Sequence, residues 1–103
     1  MPTWQPFAPH YGTTQALTGT GTSQDATISK SNKSLRIVNT AAAAVVAYVR
    51  AYNSVNSPGT VATTADYPIP GGMVTIIGKP QGFDRLAYIG NTASLFVTEG
   101  DGI

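Results

Sequence analysis

From Thr13 onward the chain breaks into short runs rich in Thr, Val, Ile and Tyr, each closed by a cluster of Gly, Pro, Asn or Ser. Branched and aromatic side chains suit a pleated, half-buried surface, and apolar–polar alternation gives the period of a strand. The runs lie at residues 15–20, 26–30, 35–40, 45–52, 60–64, 73–78, 85–90 and 94–98. Eight short strands with a turn signal after each predict an all-β chain: a single-domain antiparallel β-sandwich, jelly-roll-like. A length of 103 residues allows one core and not two.

Residues 41–51 are the ambiguous stretch. Four alanines favour helix, but Val45, Val46, Tyr48, Val49 and Tyr52 favour strand, and no capping box opens the run. The reading is a strand with a small-residue entry. Pro68 and Pro70 lack backbone donors, which excludes a central strand and predicts a corner at residues 68–72. The expected inward set is Leu35, Ile37, Val45, Ala47, Val49, Ile76, Leu86, Ile89, Leu95 and Val97. Val46, Tyr48, Arg50 and Tyr52 then share the opposite face, an aromatic and basic stripe suited to a contact.

Residues 1–12 read as an extended arm ahead of a β-sandwich domain at 13–103. Pro2, Pro6 and Pro9 favour extended backbone, with Trp4, Phe7, His10 and Tyr11 interleaved. Two placements are open: the arm lies across its own domain, or it latches onto a neighbouring subunit.

Charge sets the class of partner. Only 11% of residues are charged, with a net charge of +1, against about 25% in an average soluble domain. So weak a field does not steer nucleic acid or an anionic membrane. Ala, Gly, Ser and Thr supply 45 residues, giving a neutral, hydroxylated surface prone to associate. The absence of cysteine excludes disulfides, thiol chemistry and Cys-based metal sites. The first twelve residues carry no Lys or Arg, unlike a secretory n-region. The longest apolar run, residues 41–49, is too short for a bilayer span. The expectation is a protein soluble where it is made.

No catalytic, cofactor or metal site is expected. His10 sits in the arm, a poor platform for a general base. Asp25, Asp66, Asp84 and Asp101 lie beside turns, strand entries or the tail, where Asp bonds nearby backbone donors. Gly19-Thr20-Gly21 lacks the third glycine of a dinucleotide loop, and no P-loop is present. Lys30, Lys33 and Arg36 form a small basic cluster, too small for a nucleic-acid footprint. It reads as a solvated turn or as a contact with an acidic partner surface.

One segment resembles a known family. Leu35-Arg36-Ile37-Val38-Asn39-Thr40 is followed by a Val-rich strand and by Asp66-Tyr67-Pro68-Ile69-Pro70-Gly71-Gly72. Next come Ile77-Gly78-Lys79-Pro80 and a closing stretch from Leu86-Ala87-Tyr88-Ile89-Gly90-Asn91-Thr92 to Val97-Thr98-Glu99-Gly100-Asp101-Gly102. This pattern, from Leu35 to Gly102, is similar to small capsid decoration (cement) proteins of tailed bacteriophages, some of them jelly-roll-like. The resemblance implies no enzyme activity, no cofactor and no small-molecule substrate. It implies a structural virion protein on the capsid outer surface, made in the host bacterial cytoplasm. The implied partners are the major capsid protein and copies of itself, as a dimer or trimer. The residues expected to touch partners are Trp4, Phe7, Tyr11, Tyr48, Arg50 and Tyr52. A reading of a different class is a carbohydrate- or receptor-binding module, in which Tyr11, Tyr48, Tyr52 and Tyr67 stack on sugar rings.

Overall fold

The computed structural model describes residues 7–31, 33–80 and 82–101. Among them there is no helix. In chain order the strands are β1 (Ala8–Pro9), β2 (Gln15–Thr18), β3 (Gln24–Thr27), β4 (Ser34–Asn39), β5 (Val46–Tyr52), β6 (Tyr67–Pro70), β7 (Val74–Gly78), β8 (Arg85–Ile89) and β9 (Ser94–Asp101). They form two antiparallel sheets. In the first, β1 and β2 pair in succession with one side of β9, β4 pairs with the other, and β7 closes the far edge of β4. The second runs β3-β8-β5-β6. Apart from β1–β2 and β5–β6, every connection crosses between sheets, an arrangement consistent with a jelly roll.

The core is where the inner faces meet. Leu35, Ile37, Leu95 and Val97 from the first sheet pack with Ala47, Val49, Ile69, Leu86 and Tyr88 from the second. Leu35, Ile37, Ala47, Leu86 and Leu95 are fully buried. Strand parity explains this set, since side chains two residues apart share a face. The same parity corrects two expected core positions. Ile77 pairs with buried Leu35 and packs on the core, whereas Ile76 pairs with exposed Arg36 and lies on the outer face. Ile89 stands opposite Tyr48 on the outer face of the second sheet, where it packs on Tyr52, Ala62 and Ala87. Val45 precedes β5 and is half-buried against the core.

Three element assignments also change. Residues 60–64 form no strand, because their backbone donors go to side chains instead of a ladder. The Ala62 N–H donates to Ser23 Oγ at 2.8 Å and the Thr63 N–H to Asp66 Oδ2 at 2.8 Å. Residues 68–70 of the expected 68–72 corner instead belong, with Tyr67, to the edge strand β6. Only one side of that strand pairs, so the missing proline donors cost no ladder bond. The corner is the tighter turn at Gly71 and Gly72, which carries the chain to β7. The strand expected at 26–30 begins earlier, as β3.

A buried asparagine joins the layers. Asn39 ends β4 with no exposed surface. Its Nδ2 donates to the carbonyls of Ile69 (2.9 Å) and Val45 (3.1 Å), and its Oδ1 accepts the Ala41 N–H at 3.1 Å. One side chain thus ties β4, β6 and the alanine-rich entry to β5. That entry is a turn, closed by the Val45 N–H on the Ala42 carbonyl, and not the helix its alanines favour.

Candidate interaction surface

The outer faces of the two sheets differ. On the second sheet, Val46, Tyr48, Arg50 and Tyr52 share a side, as their spacing predicts. Residues 53–66 lie over part of it. Tyr52 is 7% exposed and packs with Ala62 and Ala87. Burial and a hydrogen bond to Asp25 hold its phenol above the usual range. Arg50 Nε meets Asp66 Oδ1 at 2.9 Å, an ion pair within the chain. Tyr48 is half-buried between Pro68 and Ile89.

The outer face of the first sheet is uncovered by any described residue. Register builds two rows across it. Ala16, Phe96, Val38 and Val74 stand side by side on β2, β9, β4 and β7. Beside them, Thr98, Arg36 and Ile76 form a second row, extended by Thr14, whose hydroxyl lies 2.7 Å from that of Thr98. Phe96 is 40% and Val74 48% exposed. Contiguous exposed apolar surface is what makes this face the candidate for a contact. Arg36 is the cation of the face, with no carboxylate in ion-pair range among the described residues.

The described part of the arm borders this face. Phe7 lies against Gly100, and β1 pairs Ala8 and Pro9 with Asp101 and Gly100. Between β1 and β2 the chain bulges outward. Thr13 Oγ1 donates to the His10 carbonyl at 2.6 Å and accepts the Glu99 N–H at 3.1 Å, and Gly12 takes φ +85°. Tyr11 stands at the tip, 92% exposed. Phe7, Pro9, Tyr11, Arg36, Ile76 and Thr98 help line a groove of about 480 Å³. Of the residues expected at a contact, Phe7 and Tyr11 meet here, and Tyr48, Arg50 and Tyr52 belong to the other sheet. Trp4 lies outside the described residues. Phe96, Val74 and Ala16 were not singled out from sequence.

The acidic groups are tied into the framework. Asp84 accepts the Ser54 N–H and hydroxyl, both at 2.8 Å, and meets Arg85 at 3.3 Å. Glu99 Oε1 accepts the Ser29 N–H at 2.9 Å. Asp101 meets His10 at 3.1 Å and accepts the Lys33 N–H. Lys79 is buried and donates to the Phe83 carbonyl at 2.7 Å. Desolvation pushes its pKa down, opposed by the charges of Glu99 and Asp84. No group of three or more metal-ligating side chains converges among the described residues.

The two bonds from Ser54 hold the Asp84 carboxyl below its usual range. Its folded pKa is then lower than the unfolded one, so its stabilising effect is present above about pH 4 and lost as pH falls through the folded value. Urea midpoints measured from pH 5 downward should fall for the wild type. Asp84→Asn should be less stable at neutral pH and show a flatter acid limb. Parallel limbs would remove Asp84 from the account. Comparison of the chain with protein-family models, curated proteins and solved structures finds no significant match.

Proposed function

We propose that this chain is a structural virion protein that binds the outer surface of a phage capsid and stabilises it by bridging major capsid protein subunits. The observation that carries the reading is the outer face of the first sheet, which no described residue covers, with Phe96 and Val74 exposed beside a groove that holds Arg36. A flat apolar face around one cation fits a protein surface that offers apolar contacts and a carboxylate. Two-sheet β folds of this kind serve in capsids. Weak single contacts suffice when many symmetric copies bind one shell.

The sugar-binding reading is less well supported. Tyr11 lies in the turn beside the first sheet, Tyr48 on the outer face of the second, Tyr52 is buried, and Tyr67, of opposite parity to Tyr48, meets Thr75 of β7, so the four form no single stacking platform.

Phe96→Asp tests the capsid reading. The residue is already partly solvated, so the variant should fold and melt close to wild type. Its co-sedimentation with expanded, undecorated capsids should weaken by at least roughly tenfold, as for a central aromatic contact. Unchanged binding by a folded variant would rule out this face.

A further inference from the structure

The four outer strand edges of the two sheets are not equivalent. On β6, Pro68 and Pro70 have no donors. β3 is only four residues long and carries the charge of Asp25. The β1–β2 edge is interrupted by the bulge at Tyr11 and Gly12. Such features keep sheet edges from pairing. β7, Val-Thr-Ile-Ile-Gly, has none of them: no charge, no proline and no bulge.

The ladder shows which of its groups are open. The Asn39 N–H donates to the Met73 carbonyl and the Lys79 N–H to the Lys33 carbonyl. Hydrogen-bonded pairs alternate along an antiparallel ladder, so Thr75 and Ile77 bond to β4. The N–H and C=O groups of Val74, Ile76 and Gly78 point away from it. No backbone partner for them exists among the described residues.

We propose that β7 is a self-complementary edge through which two copies of this chain pair antiparallel about a two-fold axis at Ile76. The open groups are symmetric about that residue. The axis sets Ile76 against Ile76 of the second copy and Val74 against its Gly78. Every open donor then faces an open acceptor, and no like charges meet. The two first sheets become one continuous sheet, and their apolar outer faces join. This pairing does not depend on the capsid reading.

The test uses the full chain in sedimentation equilibrium over a concentration series, with three variants. Wild type should show a monomer–dimer equilibrium. Ile76→Pro removes an open donor and no bond to β4, and should weaken the dimer by roughly 10- to 100-fold. Phe96→Asp should leave the dimer intact, which separates the edge from the face. Ile76→Cys should form a disulfide-linked dimer on oxidation. Cα atoms in a hydrogen-bonded pair lie about 5.5 Å apart, within disulfide range, and the chain has no other cysteine. Ala16→Cys, on the far edge, should not. If Ile76→Pro fails to fold, the cysteine pair decides. A wild-type monomer up to ~1 mM, a trimer, or cross-linking at Ala16 but not at Ile76 would overturn the proposal.

Discussion

Replacing Asn39 with leucine should destabilise the protein by about 3–5 kcal/mol, because it removes two buried donors and an acceptor at once. The carbonyls of Val45 and Ile69 would each lose a hydrogen bond, and the Ala41 N–H would lose its acceptor. Leucine branches at the same carbon but is larger, so no cavity is left and overpacking at this fully buried site adds to the polar loss. A domain of this size has a total stability of about 5–15 kcal/mol. The melting temperature should fall by roughly 12–40 °C, at about 4–8 °C per kcal/mol. Thr40→Ala is the control. It deletes an exposed hydroxyl bond of 3.3 Å to the Ser94 carbonyl and should cost under about 0.5 kcal/mol. An Asn39→Leu protein melting within a few degrees of wild type would show that the junction does not depend on this side chain.

Gly71→Ala should cost about 3 kcal/mol, the upper range for overpacking. A Cβ at Gly71 would run into the carbonyl of Ala42 and lie 2.7 Å from the carbonyl oxygen of Ala41. These are backbone atoms of the turn that Asn39 holds, so relief requires that turn to move. Gly21 is the contrast, since a Cβ there meets nothing within 4 Å. Gly21→Ala should be close to neutral. Both large effects act on residues 41–45, and neighbouring sites of this kind are not additive. The double variant Asn39→Leu/Gly71→Ala should therefore lose less than the two single losses combined. Full additivity in urea melts would mean that the two residues act on separate parts of the structure.

Strand positions were legible where chemistry alternates clearly. Ser94, Leu95, Phe96, Val97 and Thr98 change side at each step, and Leu95 and Val97 are buried as that pattern requires. Consecutive isoleucines at 76 and 77 carry no parity, and only pairing with Arg36 and Leu35 separates them. Residues 60–64 have the composition of a strand, but Ser23 and Asp66 take their donors, and that depends on distant parts of the chain. The prolines of β6 exclude a central strand but permit an edge or a corner alike, and the open side of β5 decides.

The proposed contact face was the least legible part. Phe96, pointing opposite to Leu95 and Val97, is a large aromatic on the outward parity, and that signal was available. Its neighbours were not, because Ala16, Val38 and Val74 become one row only through pairings of residues far apart in sequence. The aromatic stripe on β5 was read with correct parity, but nothing local announces that residues 53–66 cover Tyr52.

The most direct test of the central claim is titration of the purified chain onto expanded phage capsids that lack it, followed by heating of the decorated particles. The account predicts saturation at a fixed ratio to the major capsid protein and a raised disruption temperature. Wild-type protein that neither binds such shells nor raises that temperature would contradict it.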